Sequence, residues 1–215
     1  AEVKKASPSR GLLCPDFNPV LLASTYSDNG ASAISVLTDP RFQGELDHIV
    51  QIKESGLVRT TPILRKDFIF DPYQVHEARA NGADAILLIA AILTEKQMAD
   101  LKSLAESLGM HCLVEIHDEA ELELVLDIGA EIVGINNRDL RTFTTDLKVT
   151  ENLAPLIPDG KIIVSESGIN NYSHIKRVSS LGVNAVLVGE ALVTSEDVPA
   201  AVKTLMGQNA PNVYP

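Results

Sequence analysis

Gly82-Ala83-Asp84-Ala85-Ile86-Leu87-Leu88 reads as the stop of a helix followed at once by a buried strand. Glycine takes the left-handed conformation that closes a helix, and a small residue after it lets the chain turn tightly. The apolar run then lacks the alternation of a strand wetted on one side, as in parallel sheets covered on both faces. The unit recurs at Gly30-Ala31-Ser32-Ala33-Ile34-Ser35-Val36-Leu37, Gly129-Ala130-Glu131-Ile132-Val133-Gly134-Ile135 and Gly182-Val183-Asn184-Ala185-Val186-Leu187-Val188, with a looser copy at Gly109-Met110-His111-Cys112-Leu113-Val114. Helix starts agree with it. Asn18-Pro19 and Asp71-Pro72 put a capping side chain before a proline at the first helical position. Thr94, Asp118 and Ser195 each precede an acidic first turn, which suits the helix dipole.

Working outward, strands are expected at Ala1–Lys4, Ala33–Leu37, Pro62–Lys66, Ala85–Ile89, His111–Glu115, Ile132–Asn136, Lys161–Ser165 and Ala185–Val188, each followed by a helical pattern. Alternating β and α units in 215 residues predict an α/β chain, a single-domain (β/α)8 TIM barrel spanning residues 1–215. A doubly wound open sheet is the competing architecture, but it commonly uses fewer strands, and no G-x-G-x-x-G opens the first helix. The chain starts inside its first strand, so an amino-terminal segment and part of strand one are expected to be missing.

Composition narrows the function. Hydrophobic residues make up 45% and charged residues 22% of the chain, the proportions of a globular domain. The net charge of −11 excludes the basic footprint of a non-specific nucleic-acid binder and makes an anionic membrane an unsuitable partner. The apolar run Ala85–Leu93 is far short of a membrane span, and no signal peptide opens the sequence. The absence of Trp argues against an aromatic platform for single strands. Cys14 and Cys112 form neither a disulfide framework nor a zinc site, and read as reduced thiols. His48, His76, His111, His117 and His174 have no zinc-ligand spacing, so no metal is expected; His117, two residues after Glu115, has the spacing to orient it, but a role at the surface or behind the site is the preferred reading.

Catalytic groups of such barrels gather at the carboxyl ends of the strands. The charged or polar residues there are Glu2 and Lys4, Arg65-Lys66-Asp67, Glu115, Asn136-Asn137-Arg138-Asp139, Ser165-Glu166-Ser167-Gly168, and Gly189-Glu190. Side chains alternate along a strand, so Glu2 shares a face with Lys4, Lys66 with Leu64, and Glu115 with Leu113. If Lys4, Lys66, Glu115 and Glu166 point inward, lysines and carboxylates meet over the mouth and supply general acids and bases; each taken alone reads equally well as an outward, solvated charge. The turns Ser167-Gly168-Ile169 and Gly189-Glu190-Ala191 follow strands seven and eight, where such barrels hold phosphate. Glu190 is then expected to turn its carboxylate away. Arg10 and Arg41 lie in mouth loops.

These residues resemble the indole-3-glycerol phosphate synthase family. The resemblance is carried by Ala1-Glu2-Val3-Lys4-Lys5-Ala6-Ser7-Pro8-Ser9, Ser35-Val36-Leu37-Thr38-Asp39, Leu64-Arg65-Lys66-Asp67-Phe68, Asp84-Ala85-Ile86-Leu87-Leu88-Ile89-Ala90-Ala91-Ile92-Leu93, Leu113-Val114-Glu115-Ile116-His117-Asp118, Gly134-Ile135-Asn136-Asn137-Arg138-Asp139-Leu140, Ser165-Glu166-Ser167-Gly168-Ile169 and Val188-Gly189-Glu190, in order along nearly the whole chain. It implies a cofactor-free and metal-free carboxy-lyase of tryptophan biosynthesis. Its reaction closes, decarboxylates and dehydrates 1-(2-carboxyphenylamino)-1-deoxyribulose 5-phosphate to indole-3-glycerol phosphate. Carried over, Lys66 is the general acid, Glu115 assists loss of water, Lys4 holds the substrate carboxylate with Glu2 beside it, and Asn136 and Glu166 orient the intermediate. Ser7, Ser167, Gly168 and Gly189 line the anion pockets, flanked by Arg138 and Glu190, and Phe42 and Phe68 pack on the aromatic ring or serve the core. The phosphate loops and the lysines of strands one and three are expected on opposite sides of the mouth.

The resemblance further implies a cytoplasmic enzyme (plastid in a photosynthetic eukaryote) with a small phosphorylated substrate. A fused or associated tryptophan-pathway enzyme is one expected partner. Two other readings stand beside it: a Schiff-base aldolase using Lys66, and a truncated non-catalytic barrel kept for phosphate-ligand binding.

Overall fold

The computed structural model describes residues 1–208; the end of the expected domain, 209–215, lies outside the described residues. In chain order the strands are β1 (Glu2–Val3), β2 (Ala6–Ser7), β3 (Gly11–Leu12), β4 (Ile34–Leu37), β5 (Ile63–Lys66), β6 (Ala85–Ile89), β7 (His111–Ile116), β8 (Ile132–Asn136), β9 (Ile162–Glu166) and β10 (Ala185–Leu187). The eight strands other than β2 and β3 form one parallel sheet in the order β1-β4-β5-β6-β7-β8-β9-β10. Glu2 N–H donates to the Val188 carbonyl at 2.8 Å across the seam between its first and last strands. Each expected strand is present, with bounds shifted by at most one residue. The antiparallel hairpin of β2 and β3 is an addition that the sequence reading did not contain; it fills the first loop above the mouth.

The helices α1 (Pro19–Asp28), α2 (Asp47–Glu54), α3 (Pro72–Ala80), α4 (Glu95–Ser107), α5 (Glu119–Asp127), α6 (Lys148–Leu153), α7 (Tyr172–Ser179), α8 (Glu190–Val193) and α9 (Val198–Leu205) pack outside the sheet. Asn18, Asp71, Thr94 and Asp118 cap their helices as expected, and the Asp71 and Thr94 caps are closed by Gln74 and Gln97 in reciprocal boxes. Ser195 does not cap a helix. Proline near the start of α9 needs no N–H partner, so that helix opens after Asp197, whose carboxylate accepts Ala200 N–H at 2.9 Å.

Two apolar cores result from the alternation of each strand. Outward residues such as Val36, Ile86, Leu88, Val114 and Ile135 meet Ile49, Val75, Met98 and Val125 from the helices. Inward residues Leu64, Leu87, Ile89 and Leu113 plug the barrel. The plug is the floor on which the polar residues at the strand ends stand.

The repeated turn has a second function beyond stopping the helix. Gly82 (φ 92°) turns the chain out of α3, and Asp84 then accepts Ile63 N–H at 2.8 Å and Lys53 Nζ at 2.7 Å. Asn184, at the same place in its own copy, accepts Ile163 N–H at 2.7 Å. In these two copies the side chain two after the glycine satisfies a backbone donor at the start of the neighbouring strand, whereas in the Gly129 copy the Glu131 carbonyl does so for Ile162. Replacing Asp84 by Ala is expected to strand that donor, at a cost of about 1–3 kcal/mol. Thermal unfolding should show a fall of several degrees, and Asp84→Asn, which restores the acceptor seen at Asn184, should recover most of it.

Candidate active site

At the carboxyl end of the barrel the plug gives way to a cavity of about 320 Å³. Every expected site residue except Ser7 lines it: Glu2, Lys4, Phe42, Lys66, Phe68, Glu115, Asn136, Arg138, Glu166, Ser167, Gly168, Gly189 and Glu190. Ser7 is buried in the hairpin, where its hydroxyl accepts Arg10 N–H at 3.2 Å. Its strand pairs with β3, and Ser7 is not among the residues that line the cavity.

The centre is an ion cluster. Lys66 Nζ lies 2.9 Å from Glu166 Oε2 and 3.5 Å from Glu115 Oε2, and the two carboxylates are 1% and 2% exposed. Burial works against the lysine charge, yet Glu166, Glu115 and Glu2 outweigh it and raise the Lys66 pKa well above the ordinary value. Burial pushes the Glu166 carboxyl up, with Lys66 only partly offsetting it. These carboxylates favour the charged ammonium of Lys66, which opposes the aldolase reading, whose nucleophile must be a neutral amine.

Lys4 pairs with Glu2 at 3.4 Å and stands 5.4 Å from the centroid of the Phe42 ring. Arg41 grips Asp39 and stacks at 4.1 Å over Phe68, fixing one wall of an apolar slot. The expectation that both lysines lie opposite the phosphate loops is corrected by closure of the barrel. β1 neighbours β10, so Lys4 stands beside the Gly189 turn, while Lys66 reaches across to β9. Glu190 lines the cavity as a residue, and its carboxylate pairs with the exposed Arg10, with Arg138 Nη2 at 4.0 Å.

Three positions that the sequence places at or near the strand ends received no role there. Asn137, on the face opposite Asn136, donates to Ser165 Oγ and to the Glu166 and Ser167 carbonyls at 2.9–3.0 Å and accepts from Thr150, tying β8 to the turn after β9. Arg65, buried on the outer face of β5, holds Asp67 at 3.1 Å, and Asp67 in turn accepts Phe68 N–H at 2.8 Å and Thr38 Oγ1–H at 2.6 Å. Gly134 faces inward beneath Glu166, and any Cβ there would overlap the Glu166 carboxylate. A glycine inside an otherwise β-branched run was the available signal of such a close approach.

A family model described as indole-3-glycerol phosphate synthase matches residues 1–205. The chain belongs to the indole-3-glycerol phosphate synthase family. It is 57% identical over 207 residues to the indole-3-glycerol phosphate synthase of Dehalococcoides mccartyi, covering 96% of this chain and 80% of that one. To that of Roseiflexus sp. (strain RS-1) it is 55% identical over 213 residues, covering 96% and 79%. Its barrel also superposes on 3-hexulose-6-phosphate synthase from Salmonella typhimurium with a TM-score of 0.75 over 96% of this chain and 95% of that one; at 14% identity this likeness concerns the fold. The activity is that of indole-3-glycerol phosphate synthase, a carboxy-lyase of tryptophan biosynthesis.

Gly134→Ala should leave the barrel folded, because the atom in the way is the far end of a side chain, but it should displace Glu166. Misplacing a catalytic group by about 1 Å can cost up to roughly 10²-fold in rate. Fluorescence detection of indole-3-glycerol phosphate should show a fall in kcat of that order, with the melting temperature nearly unchanged.

Proposed function

We propose that Lys66, Glu115, Glu166, Asn136, Lys4 and Glu2 carry the synthase reaction, with Lys66 as the general acid of ring closure. The observation that supports this most strongly is the Lys66 ammonium held between Glu166 and Glu115 on the apolar floor of the cavity. As the aryl carbon bearing the carboxylate attacks the ribulose carbonyl carbon, Lys66 gives a proton to the carbonyl oxygen. The electrons of the carbon–carboxylate bond then move toward the iminium nitrogen, which accepts them as carbon dioxide leaves and the ring regains aromaticity. In the last step the new hydroxyl leaves as water and a proton is lost from the adjacent methylene. Glu115 assists this step, and Asn136 and Glu166 keep the chain in place.

The substrate has an anion at each end and an apolar ring between. Lys4 receives the benzoate carboxylate. The phosphate rests against Ser167, Gly168 and Gly189, with Arg138 exchanging its contact with Glu190 for the phosphate. Phe42 and Phe68 flank the ring. Left-handed conformations at Ser167 and Gly168 (φ 65° and 81°) turn the chain sharply after β9, consistent with an anion loop. We read residues 1–215 as one catalytic domain that acts in the cytoplasm without a metal or cofactor. No helix among the described residues is long and apolar enough to cross a membrane.

Lys66→Ala tests the assignment. Loss of a positioned acid lowers turnover by about 10²–10⁴-fold, and substrate affinity should change far less. Near-native turnover would remove Lys66 from the role.

A further inference from the structure

The carboxylate of Glu115 has a second cation behind it. Its Oε2 faces Lys66 at 3.5 Å, and its Oε1 faces Nε2 of His117, also at 3.5 Å. His117 does not line the cavity. Its ring is held from the far side by Glu121 on α5, whose Oε2 accepts His117 backbone N–H at 2.7 Å and lies 3.1 Å from Nδ1. The cap at Asp118, which accepts Glu121 N–H at 2.9 Å, sets the start of the helix that presents Glu121. Nε2 is buried and has no hydrogen-bond partner among the described residues, and the Glu115 carboxylate stands 3.5 Å from it.

The tautomer follows from the partners. An ionised Glu121 only accepts, so Nδ1 must carry a hydrogen. Nε2 then presents either a lone pair or an N–H to the Glu115 carboxylate. The first repels it, whereas the second gives it a charge-assisted donor. The order Glu121–His117–Glu115–Lys66–Glu166 alternates sign once the imidazole is charged, and it reaches from the surface of α5 to the centre of the cavity.

We propose that His117 is a positioning residue for the reaction: as an imidazolium braced by Glu121, it holds the Glu115 carboxylate in its working orientation for the dehydration step. This rests on the reading of Glu115 given above. It adds a functional pair, His117 and Glu121, that never touches substrate. The groups facing the imidazole are Glu115 from β7, Glu121 from α5 and, farther off, Glu166 from β9, with Lys66 of β5 beyond Glu115. Burial alone would lower its pKa, but the Glu121 hydrogen bond and the charges of Glu115, Glu121 and Glu166 raise it above the ordinary value. The charged form is therefore favoured at low pH, and the support should be lost as pH rises through that raised pKa.

The test combines kinetics with a direct titration. His117→Gln keeps an amide where the ring was but cannot take up a proton. It should lower kcat by about 10-fold, short of what a positioned base itself contributes, with KM unchanged and the alkaline decline of kcat abolished. In a Glu115→Gln background the same change should have no further effect. Histidine ¹⁵N NMR of the unsubstituted enzyme and of Glu115→Gln needs no change at His117, so a misfolded variant cannot mask the answer. The His117 pKa should lie above that of an exposed histidine and fall when Glu115 is neutralised. Native kcat in His117→Gln, an equal loss in both backgrounds, or a His117 pKa indifferent to Glu115 would each overturn the proposal. Undiminished turnover in Glu115→Gln itself would instead overturn the role given to Glu115, and the two failures are thus told apart.

Discussion

One ammonium group organises the mouth of this barrel. Lys66 reaches across from β5 to meet Glu166 on β9 and Glu115 on β7, over a floor of leucine and isoleucine side chains. Bringing two carboxylates this far out of water is tolerable only because the lysine lies between them; removing one partner of such a buried pair typically costs about 3–5 kcal/mol. The carboxylates in turn favour the charged form of the lysine. Several other features serve the same cluster. Gly134 leaves room for Glu166, Gly189 leaves room for Glu2, and Asn137 ties the end of β8 to the turn that follows Glu166.

The barrel was legible because its information is local and repeated. A left-handed glycine, a tight turn and a continuous apolar run make one βα boundary, and the chain writes that boundary several times over. Strand ends followed because a charged or polar residue terminates most of the apolar runs that reach the mouth, the run Ala85–Leu93 being an exception. What could not be read is what depends on the ring closing. That Lys4 lies beside the Gly189 turn, rather than opposite it, is a consequence of β1 and β10 being neighbours, which no local pattern in β1 expresses. The hairpin of β2 and β3 is two residues per strand, too short to show an alternation, and it holds Ser7, which is not among the residues that line the cavity.

Much of the site was legible for a related reason: residues at strand ends and in the turns after them must face the cavity if the alternation is inward at the preceding leucine. Leu64 before Lys66 and Leu113 before Glu115 made that inference possible. The supporting residues were not visible in this way. Arg65 and Asn137 sit on the outer faces of the same strands, where an apolar residue is the norm, and their value depends on partners far along the chain, such as Thr150 for Asn137.

The relation between cluster and chemistry rests on Lys66 being charged in the resting enzyme. A ¹⁵N-resolved NMR titration of the Lys66 side chain measures this directly. The ammonium signal should persist beyond the ordinary lysine range, near pH 10.4, and Glu166→Gln should bring its loss to lower pH. A Lys66 that becomes a neutral amine at or below the ordinary lysine pKa, or that is indifferent to Glu166, would contradict the account.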